Sequence, residues 1–196
     1  MSALDGSLAR LGLKTIDLYH VNYPLPLIDV GVFAEGLVEA VKSGKARAVG
    51  VANFNADQMR RIADHLARAG VPLAANQVNY SLLRRAAETN GVLEACRELD
   101  VALVAYFPLA SGRLTQPSDS TGTKALLTCL ADIARAHDAG ISQVALNWLL
   151  ARDSHVIPIP GATKPYHARA NLDALGWRLS ETEFDAIDRA SAKRGT

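Results

Sequence analysis

The chain has little of what staples a small protein, draws it to a polyanion or sends it through a bilayer. Its 196 residues hold two cysteines, two methionines and two tryptophans, and basic and acidic side chains nearly cancel at a formal net charge of +1. Cys96 and Cys129 stand in separate apolar, helix-like segments with no second Cys or His at metal spacing. That pattern argues against a disulfide scaffold or a metal centre and leaves buried free thiols in a reducing compartment. The even charge balance argues against nucleic acid, anionic membrane surfaces and acidic partners. No run of apolar residues is long enough to span a bilayer. The opening "MSALDGSLARLGL" has neither a signal-peptide core nor an acid-free transit character, so a cytoplasmic location is expected.

What remains is a globular composition, 49% apolar and 21% charged, enough for one domain over 1–196 with its own core. Five strand-like runs alternate with helical patterns: "IDLYHVNYP", "ARAVGVANF", "LAANQVNYSLL", "VALVAYFPLA" and "HVIPIPG". They lack strict alternation, which suits strands buried on both faces, and their order predicts a parallel sheet with crossover helices. Asn55 with Gln58, and Ser180 with Glu183, have capping-box spacing, and Gly70 marks the end of the first of these helices. The polar part of "SGRLTQPSDSTGTKALL" reads as a loop, followed by helices over about 125–136 and 142–151. The first run lacks a glycine-rich turn into a helix, so the nucleotide fingerprint of open doubly wound sheets is missing.

From Ser7 onward the sequence resembles the C-terminal two-thirds of the aldo-keto reductases, nearest to their pyridoxal-reductase-like and plant or bacterial oxidoreductase branch. The segments that carry the resemblance are "SLARLGLKTIDLYHVNYP", "GKARAVGVANFN", "PLAANQVNYSLLRR", "VALVAYFPLASGRLT" and "SQVALNWLLARDSHVIPIPGATK". The resemblance implies a partial TIM-type (β/α)8 barrel containing strands four to eight. It also implies NADP(H) as cofactor and reduction of small aldehydes or ketones as the family reaction. In such barrels the chemistry gathers at the carboxyl ends of the strands, and phosphate binds near the last two.

Asn53 and Gln77 stand where the family hydrogen-bonds the nicotinamide carboxamide, a group whose donor and acceptor an amide side chain complements. The alternative for each is a strand-end side chain that ties down a loop. Ala52 replaces a usual serine and would forgo one hydrogen bond. Tyr106 stands where an aromatic stacks on the nicotinamide, or it plugs the barrel mouth. Phe107 replaces the serine before Pro108 and Leu109 in the cofactor-binding loop. Gly161, Ala162, Lys164 and Asn171 match the segment that meets the adenosine end of the dinucleotide, although Lys164 also suits a plain surface helix start.

The family's catalytic Asp, Tyr and Lys lie on strands that precede the matching region, so no residue here is assigned to them. The position of the family histidine is Asn22, whose amide can orient a carbonyl oxygen but cannot titrate. His20, two residues earlier and on the same strand face, lies roughly 6 to 7 Å deeper and is expected in the packed layers rather than at the mouth. The expectation is therefore an oxidoreductase portion that lacks turnover alone. The alternatives are a non-catalytic nucleotide-binding barrel piece or subunit, and a truncated gene product. Another copy, or an N-terminal fragment, would complete the barrel.

Overall fold

The computed structural model describes residues 2–118 and 120–192. Five strands form one sheet in the order β1-β2-β3-β4-β5. They are β1 (Ile16–Val21), β2 (Ala46–Ala52), β3 (Leu73–Asn79), β4 (Ala102–Tyr106) and β5 (Val156–Pro158). Each falls within the run that predicted it, and the last is shorter than its run because "PIPG" cannot continue a hydrogen-bonded ladder. The chain divides into two compact units, one built from 1–78 and 87–103, the other from 79–86 and 104–196.

In the first unit β1, β2 and β3 pair in parallel. The helices α1 (Ser2–Leu11), α2 (Val30–Lys42), α3 (Ala56–Arg68) and α5 (Val92–Leu99) belong to it, and α4 (Ala86–Thr89) is a single turn at its margin. β2 is apolar and small because it is covered on both faces: Val49, Val51 and Ala52 are all buried. The α3 helix begins at the expected capping box. Asn55 Oδ1 accepts from the Gln58 N–H at 2.9 Å, and Gln58 Oε1 accepts from the Asn55 N–H at 3.0 Å. Its buried stripe is Met59, Ile62 and Leu66. Asp29 starts α2, accepting from the Gly31 N–H at 2.8 Å and from Arg61 at 2.7 Å. The Gly31 N–H first, and then the Arg61 guanidinium, hold its carboxyl below the usual carboxylate range.

His20 lies level with Gly50 in the β1–β2 register. A Cβ on Gly50 would overlap the His20 ring and stand 2.9 Å from the Ala75 carbonyl oxygen, so the strand needs glycine there for close approach. The ring is partly buried, and its Nε2 is enclosed without a hydrogen bond among the described residues. This is a packed histidine, as its depth along the strand implied.

In the second unit β4 ends in a short 3-10 segment, η1 (Ala110–Thr115), followed by α6 (Thr121–Ala136), α7 (Ile141–Arg152), α8 (Pro165–Asp173) and α9 (Glu181–Ala192). The loop expected ahead of α6 is thus partly a tight helical turn, and residue 119 lies outside the described residues. Helix α7 is the unit's interior: Val144 to Leu149 are all buried. Its one buried amide, Asn147, donates to the carbonyls of Ala174 at 3.1 Å and Trp177 at 2.9 Å and accepts from the Leu179 N–H at 3.3 Å. The connection from α8 to α9 is thereby fixed to the core. Ser180 caps α9 as its spacing predicts, and Glu183 accepts from both the backbone and the hydroxyl of Ser180. Burial opposes ionisation of Glu183, but those two bonds and His137 outweigh it and lower its pKa.

The thiols differ from expectation in one respect: Cys96 is buried, whereas Cys129 is only partly so. The buried stripe of α6 runs through Leu126, Leu130 and Ile133, and Cys129 lies at its margin.

Two outcomes follow from this packing. Asn147→Leu leaves two carbonyls and an N–H without partners and should cost roughly 2–4 kcal/mol, read as a lower urea midpoint at unchanged slope. Burial lowers the pKa of His20 below the ordinary 6.5. The folded chain therefore holds this ring neutral, and the resulting stability is present above that value and is lost as the pH falls through the folded pKa. An NMR titration of the His20 Cε1 proton should give a midpoint under 6.5, and a midpoint at or above it would contradict the enclosed ring.

Candidate functional site

Parallel pairing brings the carboxyl ends of β1, β2 and β3 to the same edge. Val21 pairs with Val51 and Ala52 pairs with Gln77, so Asn22, Ala52 and Gln77 stand level and Asn53 is one residue beyond. Asn53 turns the chain out of β2 with φ of 62°, a left-handed conformation that asparagine tolerates better than most residues. Its N–H donates to the Gln77 carbonyl at 2.9 Å, and its Nδ2 donates to the Asn22 carbonyl at 3.1 Å. Asn53 therefore bonds to the strands on either side of its own, as the loop-tying alternative expects. The side-chain amides of Asn22 and Gln77 make no hydrogen bond among the described residues. Asn22 is exposed and Gln77 is half-buried.

A residue that sequence reasoning passed over holds this group in place. Asn76 on β3 is fully buried, and its Nδ2 donates at 2.9 Å to the carbonyl of Phe54, the residue after Asn53. Nothing in an isolated "AANQVNY" separates an amide turned inward from one turned outward.

In the second unit Tyr106 ends β4, half-buried, with its carbonyl accepting from the Tyr80 N–H at 3.3 Å and its ring edge-on to Phe107 at 5.2 Å. Pro108 is buried and Leu109 half-buried as the chain enters η1. Phe107, Ala110 and Ser111 all have positive φ, between 50° and 57°. Three such non-glycine residues within five positions mark a strained loop of the kind found at functional sites. Beyond β5, Gly161, Ala162 and Lys164 are exposed and Asn171 is half-buried on α8. Lys164 precedes Pro165 at the helix start with its Nζ 5.7 Å from the centre of the Tyr166 ring. A Cβ on Gly161 would meet no protein atom within 4 Å, and its φ lies outside the left-handed region. The fold itself makes no demand for glycine there.

The loop from Asn79 to Ala86 is anchored by Arg85. Its guanidinium donates to the Asp188 carboxylate at 2.7 Å and to Ser191 Oγ at 2.8 Å, and lies 4.9 Å from the centre of the Trp148 ring. Beside it opens a cavity of about 300 Å³ lined by Asn79, Ser81, Arg84, Phe107, Ser111 and Arg113 among others. The sequence signal was two arginines, each close after a serine, in "SLLRR" and "SGR", but neither differs in sequence from ordinary surface charge. No group of three or more His, Cys, Asp or Glu among the described residues could hold a metal ion. No helix among them is long and apolar enough to cross a membrane.

Residues 1–192 match the model of the family described as "Aldo/keto reductase family". The chain is 33% identical to chloroplastic pyridoxal reductase of Arabidopsis thaliana, over 97% of this chain and 57% of that protein. It is 34% identical to 6-dehydroglucose reductase of Novosphingobium aromaticivorans, over 94% of this chain and 60% of that one. The fold is similar to a thermostable aldo-keto reductase, Tm1743, at a TM-score of 0.82 and 34% identity, covering 95% of this chain and 64% of the other. It is also similar to the glycerol dehydrogenase AKR11B4 of Gluconobacter oxydans, at a TM-score of 0.86 and 27% identity, covering 98% and 63%. The chain thus spans under two-thirds of the length of these relatives. A parallel α/β sheet with polar residues gathered at its strand ends, a match along nearly the whole chain and these likenesses together place the chain in the aldo/keto reductase family.

Proposed function

We propose that the chain is the cofactor-binding portion of an NADPH-dependent reductase of small aldehydes or ketones, with its five strands corresponding to strands four to eight of the barrel. The observation that carries this reading is the Gln77 side-chain amide, half-buried and uncommitted at a strand end, level with Asn22 and bonded through its backbone to Asn53. Such an amide offers the donor and acceptor that a carboxamide requires. Gly161 adds a second fit: glycine where no protein atom needs the space suits a bound group that comes close to the backbone.

In this reading Gln77 and Asn53 hold the carboxamide, and Tyr106 gives the nicotinamide a stacking face. Pro108 and Leu109 shape the cofactor loop, while Gly161, Ala162, Lys164 and Asn171 take the adenosine end. When bound, NADPH supplies hydride to the carbonyl carbon. Asn22 donates a hydrogen bond to the carbonyl oxygen and orients it, and it gives up no proton because an amide does not titrate. The proton donor and the groups that tune it are then supplied by a further segment, or a second copy, that completes the barrel beside the end strands. Partly exposed apolar side chains on those strands, Leu18 on β1 and Ile157 on β5, support such a covering. A second reading, a nucleotide-binding piece with no turnover of its own, is favoured by the asparagine at position 22.

Titration of the chain with NADPH, followed by nicotinamide fluorescence, should saturate, and Gln77→Ala should weaken binding about fivefold for one lost hydrogen bond. Absence of saturable binding by folded protein would overturn both readings. Gly161→Ala should leave stability within about 0.5 kcal/mol, since its Cβ meets no protein atom, yet weaken NADPH binding severalfold. Unchanged affinity in that variant would remove Gly161 from the site.

A further inference from the structure

We propose that Asn76 is a positioning residue for the nicotinamide end of the site, acting through the turn that carries Asn53. Asn76 and Gln77 are neighbours on β3, and adjacent strand residues point to opposite faces, so the Asn76 side chain turns towards α3 and that of Gln77 away from it. Asn76 is fully buried there: its Nδ2 donates to the Phe54 carbonyl at 2.9 Å and lies 2.9 Å from Met59 Sδ. Its Oδ1 is equally enclosed and has no hydrogen-bond partner among the described residues. An orphaned buried acceptor is costly, and a leucine of similar shape would avoid it, so packing does not explain the amide. What the amide supplies is a donor at one particular carbonyl.

That carbonyl closes the turn out of β2. Asn53 has φ of 62°, and its N–H donates to the Gln77 carbonyl at 2.9 Å. On its other side the Phe54 carbonyl is held by Asn76, and Asn55 then enters the capping box of α3. The left-handed residue is therefore fixed before and after by consecutive residues of β3, once through backbone and once through a side chain. Without the Asn76 donor the Phe54 carbonyl would turn to find another partner, because a buried carbonyl is rarely left unpaired, and the path of the chain at Asn53 would turn with it. The Asn53 Nδ2, which reaches the Asn22 carbonyl at 3.1 Å, stands at the end of that lever. Being enclosed, Asn76 does not itself reach a ligand; it sets where the Asn53 amide points.

This inference rests on the reductase reading, in which Asn53 and Gln77 hold the carboxamide. Two probes titrated into the whole chain test it: NADPH, and 2′-phospho-ADP-ribose, which keeps the adenosine end and lacks the nicotinamide. Asn76→Leu should weaken NADPH about fivefold, the size of one lost hydrogen bond, and leave the truncated probe unchanged. Asn76→Ser, whose hydroxyl can still donate, should lose less, and it carries the same comparison if the leucine variant does not fold. A purely structural role would lower the urea midpoint without separating the probes, so equal weakening of both, or no change in either, overturns the assignment. Amide hydrogen exchange gives a readout without ligand: in the variants the Asn53 N–H should exchange about tenfold faster relative to the amides inside β2. If the unsubstituted chain does not bind NADPH, or binds it no more tightly than the truncated probe, the carboxamide reading fails. The exchange measurement then decides by itself whether Asn76 holds the turn, and an unchanged Asn53 rate overturns it.

Discussion

Parallel pairing is the constraint on which the candidate site depends. Parallel strands cannot be joined by tight turns, so each must be followed by a crossover, and every strand leaves the sheet at the same edge. Asn22 and Asn53, which follow β1 and β2, and Gln77 near the end of β3 are therefore neighbours although 55 residues separate the first from the last. The register does the rest. Had β2 been displaced by one residue against β3, Asn53 and the carbonyl of Gln77 would not meet at 2.9 Å.

Buried amides convert that shared edge into fixed loops. Asn76 takes up the Phe54 carbonyl just past the β2 exit, and Asn147 takes up two carbonyls and an N–H in the α8–α9 connection. A buried carbonyl without a partner is costly, so each amide stabilises one particular path of the chain outside regular structure. The same logic at Arg85, held by carboxylate, hydroxyl and indole, fixes the loop that carries Arg84. Function in this fold is placed on loops, and these contacts hold loops still.

Two residues that the sequence singles out lie just past strand ends. Asn22 follows β1 with an amide that cannot titrate, and Phe107 follows β4 with its ring edge-on to Tyr106 at 5.2 Å. Phe107 sits 55% exposed beside the arginine-lined cavity, where it contributes an apolar wall.

The sequence by itself determined the alternation of strands and helices, both side-chain capping boxes and the family, because these rest on short-range pattern: apolar runs, Asn55 three residues before Gln58, Ser180 three before Glu183. It also located Asn22, Asn53 and Gln77 at strand ends. Only the tertiary structure decided that Asn53 donates a side-chain N–H to the Asn22 carbonyl while the side-chain amide of Gln77 makes no hydrogen bond among the described residues, since that depends on the register of three strands. It likewise decided that Cys129 lies at the margin of its helix stripe, that Gly50 is required by the His20 ring, and that Arg85 is paired while Arg84 is not. Adjacent arginines look alike in a sequence; which one finds a carboxylate is settled by a helix a hundred residues further along the chain.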